Sequence, residues 1–160
     1  MFFYTSGKYN RPKIKLEIYR VDNKIKNTVW NVFRKYHYLN TNIHKASECY
    51  VAMYNNQLVG FISVMQSIGH TGIKTIHRLV VLPDYQGIGI GTSLLNFVGG
   101  KYKESKMKAN IVTSNPSIYH SLKRSDKWKL LRIGRVNKQS NKAMRKTDSS
   151  NRITYTFQYK

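Results

Sequence analysis

The sequence predicts an α/β fold, and three observations carry that reading. Segments with a two-residue apolar period alternate with segments of helical period, in the order β, α, β, β, β, α, β, α, β, β. An apolar strand at 75–82 runs directly into a glycine loop and then into a helix. The chain has 160 residues, of which 41% are hydrophobic, enough for one domain with a real core, and it shows no internal repeat.

Residues 13–21 alternate Lys13, Ile14, Lys15, Leu16, Glu17, Ile18 and read as the first strand, with Asp22-Asn23 as a turn or helix cap. Val29, Trp30, Phe33, Tyr36 and Leu39 recur at helical spacing, which predicts an amphipathic helix over 25–39. Residues 50–54 and 58–65 flank Asn55-Asn56-Gln57, a hairpin with turn residues that tolerate positive φ. A loop at 67–72 leads into the strand 75–82, and a helix follows over 88–98 with Gly99-Gly100 as its C-cap. Next come a strand at 109–114, Asn115-Pro116 opening a helix over 116–124, and a final strand pair at 128–133 and 153–159. Between the last two strands, residues 137–151 are a polar, basic insert read as a loop or arm.

The strand–glycine loop–helix run makes an anion site. Glycines let backbone approach a ligand, and the first N–H groups of the helix point at it. The ligand expected is a phosphate or pyrophosphate. A dinucleotide fingerprint would need a third glycine where Thr92 stands, and a P-loop would need a lysine that is absent between Gln86 and Leu95. The spacing that fits is Gln86-x-x-Gly89-x-Gly91, preceded by Val81-x-Pro83.

On these residues, over roughly 75–98, the chain resembles the GNAT superfamily of N-acyltransferases. The resemblance implies a central mixed sheet flanked by helices, with two parallel strands splayed apart where the arm of acyl-CoA enters. It implies acetyl-CoA, or another acyl-CoA, as co-substrate, held by Val81, Gln86, Gly87, Ile88, Gly89, Ile90, Gly91, Thr92 and Asn115. The Val81 N–H would donate to the pantetheine arm and the developing oxyanion. Ile88 and Ile90 would supply backbone amides while their side chains anchor the loop.

Acyl transfer to an amine needs a neutral amine, an oxyanion donor and a proton for the leaving thiolate. The family often carries a carboxylate early on the motif strand, and this strand has none. His77 stands there and is the expected base, near its ordinary titration range, directly or through water, with His37 and His44 as rivals. The family's usual spacing would put its tyrosine acid at Leu122, so Tyr119, one turn earlier, is the candidate acid. Trp128 reads as core, as does much of the Trp30, Phe33, Tyr36 stripe, whereas His37 and Tyr38 fall off that stripe and are the expected acceptor-site residues.

The formal charge of +21 points to an anionic partner. Residues 101–160 hold sixteen Lys and Arg against Glu104, Asp126 and Asp148. The expected acceptor is therefore an amine on or near nucleic acid or a ribonucleoprotein. Transfer to a small amine, or a non-catalytic nucleic-acid binder on the same fold, are the alternatives. Cys49 is the only cysteine, which excludes an internal disulfide and a cysteine-built metal site, and no metal is expected. No apolar run approaches a membrane span, and Met1-Phe2-Phe3-Tyr4 does not open a leader, so a reducing cytoplasm is the expected compartment.

Overall fold

The computed structural model describes residues 14–37, 42–134 and 152–160. Tyr38 and the expected insert at 137–151 lie outside them. Strands β1 (Glu17–Val21), β2 (Glu48–Tyr54), β3 (Gln57–Gln66), β4 (Ile73–Val81), β5 (Lys108–Thr113), β6 (Trp128–Gly134) and β7 (Thr154–Tyr159) form one mixed sheet in the order β1-β2-β3-β4-β5-β7-β6. Helices α1 (Lys26–Arg34), α2 (Ile90–Glu104) and α3 (Pro116–Lys123) join them in the order the periodicity predicts.

The β2–β3 hairpin closes through Asn55 (φ 49°) and Asn56 (φ 60°), with Gln57 already paired to Tyr54. Two consecutive positive φ values give a turn whose twist suits the strands, and asparagine bears them better than most residues. The last strand, β7, inserts antiparallel between β5 and β6.

The sheet packs a core on each face. Tyr50, Ile62, Ile76, Leu94, Val98, Leu122, Trp128 and Phe157 are among the side chains buried on the α2 and α3 face. Val21, Trp30, Phe33, Phe61 and Val80 are among those buried on the other, beneath α1. Burying rings such as Trp30 and Phe33 contributes roughly 1.5–3 kcal/mol each, which fixes α1 to the sheet despite its nine residues. Lys26 adds a polar staple: its Nζ donates to Asn23 Oδ1 at 3.2 Å and to the carbonyls of Lys45 and Ser47. Trp128 is core as expected, its Nε1 donating to Asn96 Oδ1 at 2.8 Å.

Two local expectations are corrected. Helix α1 stops at Arg34 rather than 39, because Tyr36 and His37 donate to Phe33 and Arg34 in tightened i→i+3 turns. Tyr36 therefore leaves the core stripe and is 43% exposed, with the Lys35 ammonium 4.9 Å from its ring centroid. Of the two readings of Asp22-Asn23, the turn is the one found: Asp22 Oδ1 takes the N–H of Lys24 at 2.7 Å in an Asx turn, and the N-cap of α1 is Ile25.

The second correction concerns Gly99-Gly100, which lie inside α2. A Cβ on Gly99 would stand 2.2 Å from Cδ2 of Tyr159, so the glycine there admits a strand ring against the helix backbone. The helix ends one and a half turns later with Lys106 in the left-handed position at φ 57°. Lys106 N–H donates to the Lys103 carbonyl and Met107 N–H to that of Tyr102, the paired bonds of a Schellman close.

Candidate active site

Strands β4 and β5 run parallel and pair only from Ile73–Lys108 to Ile76–Ile111. Beyond that point β4 continues to Val81 on the β3 side alone, and a gap opens between the two strands. Leu82 N–H donates to the Val59 carbonyl across β3 at 3.0 Å. Successive N–H groups of an antiparallel strand alternate edges, so Val81 turns its N–H and C=O toward the gap.

The glycine loop closes the same end. A short 3₁₀ turn, Pro83–Tyr85, reverses the chain, and Tyr85 Oη ties it to Gln57 Oε1 at 2.7 Å. Gln86 Nε2 donates to the Val81 carbonyl at 2.9 Å, and its own N–H donates to the Pro83 carbonyl. The backbone N–H of Gln86 and one of its two Nε2 hydrogens thus hold the loop in shape.

Gly87 and Gly89 take φ values of 81° and 100°, where a Cβ is penalised. Gly89 is the N-cap of α2, and the first helical bond is Ser93 N–H to the Gly89 carbonyl at 2.9 Å. Among the described residues, no protein acceptor faces the N–H groups from Gly87 to Thr92. These donors, with the positive end of the helix dipole, form an anion cradle below the strand gap. Ile90 is buried and Ile88 packs on the same core, holding the loop from beneath. Thr92 Oγ1 bonds Ser121 Oγ at 2.9 Å, which joins the start of α2 to α3.

Across the gap, Asn115 caps α3. Its Oδ1 accepts from the N–H groups of Ser117 (2.9 Å) and Ile118 (3.2 Å), leaving Nδ2 as the open end of the side chain. Tyr119, a turn later, stacks on Tyr155 with centroids 4.1 Å apart, and its hydroxyl has no protein partner among the described residues. Leu122 is fully buried.

His77 occupies a β-bulge. Val64 pairs with Ile76 and Ser63 with Arg78, so His77 is the extra residue of β4. The bulge switches the strand's parity: Ile76, Leu79 and Val81 face α2, whereas Val80 faces α1. Simple alternation would group Ile76 with Val80, and it fails here for that reason.

Arg78 Nη1 lies 3.1 Å from His77 Nε2. A guanidinium can only donate, so Nε2 accepts and the proton of the neutral ring sits on Nδ1. Burial, then the Arg78 charge and, more weakly, those of His37 and His44 lower the pKa of His77 to about 4. The expectation of titration near neutrality is therefore corrected: His77 is neutral at pH 7 and its basic nitrogen is occupied.

His37 is half-buried, edge-on to Trp30 at 5.7 Å between centroids. His44 is exposed, with Nδ1 accepting from Ala46 N–H at 3.1 Å. Cys49 is buried, and burial pushes its thiol pKa up, which removes it as a nucleophile. Among the described residues no group of His, Cys, Asp or Glu could hold a metal ion, and no helix is long and apolar enough to cross a membrane.

Two parallel strands that part midway, above a helix start that offers bare N–H groups, give the sheet of an acyltransferase fold. The chain belongs to the GNAT acetyltransferase family of enzymes: the family model described as Acetyltransferase (GNAT) domain matches residues 45–124. No curated protein sequence matches it. Among solved structures, it is similar to a Bacillus subtilis acetyltransferase in complex with CoA, at 16% identity and TM-score 0.60 over 91% of this chain and 98% of that one. It is similar to the Escherichia coli ribosomal-protein-S18-alanine N-acetyltransferase, at 12% identity and TM-score 0.62 over 90% and 92%. It is also similar to Arabidopsis thaliana Naa50 in complex with the bisubstrate analogue CoA-Ac-MVNAL, at 17% identity and TM-score 0.64 over 91% and 98%. At these identities the likeness establishes the fold.

Proposed function

We propose that the chain transfers an acetyl group from acetyl-CoA to an amine carried on, or bound beside, an anionic macromolecule. The observation behind this is the row of N–H groups from Gly87 to Thr92, unpaired among the described residues, beneath the gap between β4 and β5. That row suits the coenzyme's pyrophosphate, and the gap suits its pantetheine arm. Val81 N–H donates to the arm and then to the thioester oxygen as charge gathers there. Asn115 Nδ2 reaches the coenzyme across the gap. The free Tyr119 hydroxyl supplies a proton to the departing thiolate.

The neutral amine attacks the thioester carbon, the C–S bond breaks, and the amine proton leaves to water. His77 does not receive it, because Nε2 is already held by Arg78; it orients the acceptor or a water through Nδ1–H. His37 and Tyr38 serve to bind the acceptor in this reading. The basic chain favours an acceptor within a polyanion, and one structurally similar enzyme is a ribosomal-protein-S18-alanine N-acetyltransferase.

Two experiments test this reading. Acetyl-CoA at a hundred times its Kd is expected to stabilise the native protein by about 2.7 kcal/mol, seen as a raised Tm. No shift at millimolar coenzyme sinks the proposal.

The second is the pH profile of kcat/KM. Protonating His77 removes the arrangement above, so its acidic limb is expected near pH 4 rather than between 6 and 7. His77→Ala should slow the reaction and delete that limb. The sign for stability is the same. The fold disfavours the protonated ring, so this contribution is complete above about 6.5 and is lost as pH falls toward 4. A limb at pH 6–7 that vanishes in His77→Ala would show that Arg78 does not hold the ring neutral.

A further inference from the structure

We propose that a lysine-lined cleft at the C-terminal end of α2 binds the phosphate backbone of a nucleic acid, an inference that rests on the macromolecular acceptor proposed above. Two adjoining hollows of about 600 and 300 Å³ share Lys103, Tyr159 and Lys160. Their walls carry five exposed lysines, Lys103, Lys106, Lys108, Lys127 and Lys160, against the carboxylates Glu104 and Asp126. These side chains come from distant parts of the sequence. Three stretches meet at one rim: the end of α2 through the start of β5 (Lys103, Lys106, Lys108), the turn before β6 (Lys127) and the residue after β7 (Lys160).

The cleft stands apart from the glycine loop. The 15 residues of α2 separate them by about 22 Å. Charge this far from the reacting atoms gives a small acceptor no hold, whereas an extended polyanion spans both places. The chain also accepts strain at this rim. Lys106 occupies the left-handed position of the Schellman close, where glycine carries no steric penalty and a lysine does. Strained residues persist where they supply something, and Lys106 supplies an ammonium to the wall of the cleft.

Contacts to phosphate alone carry no sequence information, so binding should be weakly sequence-specific and steeply salt-dependent. The test is fluorescence anisotropy with a labelled single-stranded RNA oligonucleotide at several salt concentrations. The triple change Lys103→Gln, Lys106→Gln and Lys108→Gln is expected to weaken binding about tenfold or more at low salt. It should make the log–log salt slope shallower by up to about 2, since each lost single-strand contact contributes about 0.7. A control triple at exposed Lys15, Lys24 and Lys45, with equal loss of charge, should change it far less. Lys106→Gly alone should weaken RNA binding yet raise Tm.

An unchanged slope in the cleft triple, an equal loss in the control, or polyglutamate competing as well as RNA would overturn the proposal. Calorimetry of acetyl-CoA on the same variants keeps the two readings apart. Coenzyme affinity should be unchanged in the cleft triple, and an absence of coenzyme binding by the wild type refutes the transferase reading without touching this one.

Discussion

Gly89→Asp is expected to abolish acetyl-CoA binding in a protein that still folds. Gly89 stands at the N-cap of α2 with φ 100°, and its neighbours present the bare N–H groups of the cradle. Aspartate is among the better residues both at an N-cap and in the left-handed region, so the cost to the fold is about 1–2 kcal/mol. Its carboxylate, however, takes the place of the incoming anion. It satisfies the N2 or N3 donor itself and repels the pyrophosphate. Losing two charge-assisted hydrogen bonds at about 1.5–3 kcal/mol each weakens binding by at least about a hundredfold. Gly89→Ala separates the causes, since it keeps the strain and omits the charge, and should lose much less. Calorimetry on both variants decides the matter. Unchanged affinity in a folded Gly89→Asp protein would place the coenzyme elsewhere.

The largest effect on stability is expected at Gly99, far from that loop. On helix propensity alone, Gly99→Ala within α2 should stabilise by about 1 kcal/mol. The tertiary contact reverses the sign. The new Cβ would meet three atoms of the Tyr159 ring at 2.2–2.8 Å, and that ring is itself pinned edge-on against Trp128 with centroids 5.2 Å apart. Overpacking of this kind costs about 1–3 kcal/mol, so a net loss and a lower Tm are expected. In Gly99→Ala with Tyr159→Ala the two losses should not add, because the second change removes the atoms the first one strikes. A Gly99→Ala protein that melts higher than wild type would show that the strand ring moves aside freely.

Gly99-Gly100 also shows how far local sequence reaches. Two glycines after an apolar helix pattern read as a C-cap, and nothing nearby says that Tyr159, sixty residues later, needs the space. The true left-handed residue, Lys106, carries no signal of its own. His77 is similar. Period-two reading of β4 is sound until the bulge, which exists only because β3 pairs two residues of β4 against one of its own. Arg78, which holds the His77 ring, is invisible as a partner until the bulge turns the two side chains together.

What the sequence determined by itself are the properties set by neighbours in the chain. The Asn55-Asn56 turn, the order of strands and helices, and the Pro116 start of α3 under its Asn115 cap are legible because adjacent residues settle φ, ψ and the first hydrogen bonds. So is the glycine loop, whose two left-handed residues and helix start lie within a few positions. The tertiary structure decided what depends on distant partners. It placed β7 between β5 and β6, ended the β4–β5 pairing at Ile76, neutralised His77 by burial in a bulge that pairing with β3 creates, and gathered lysines from three stretches of the chain around one cleft. Each of these outcomes is a balance of contacts between segments far apart in the chain, and such contacts leave no period or spacing in the sequence to read.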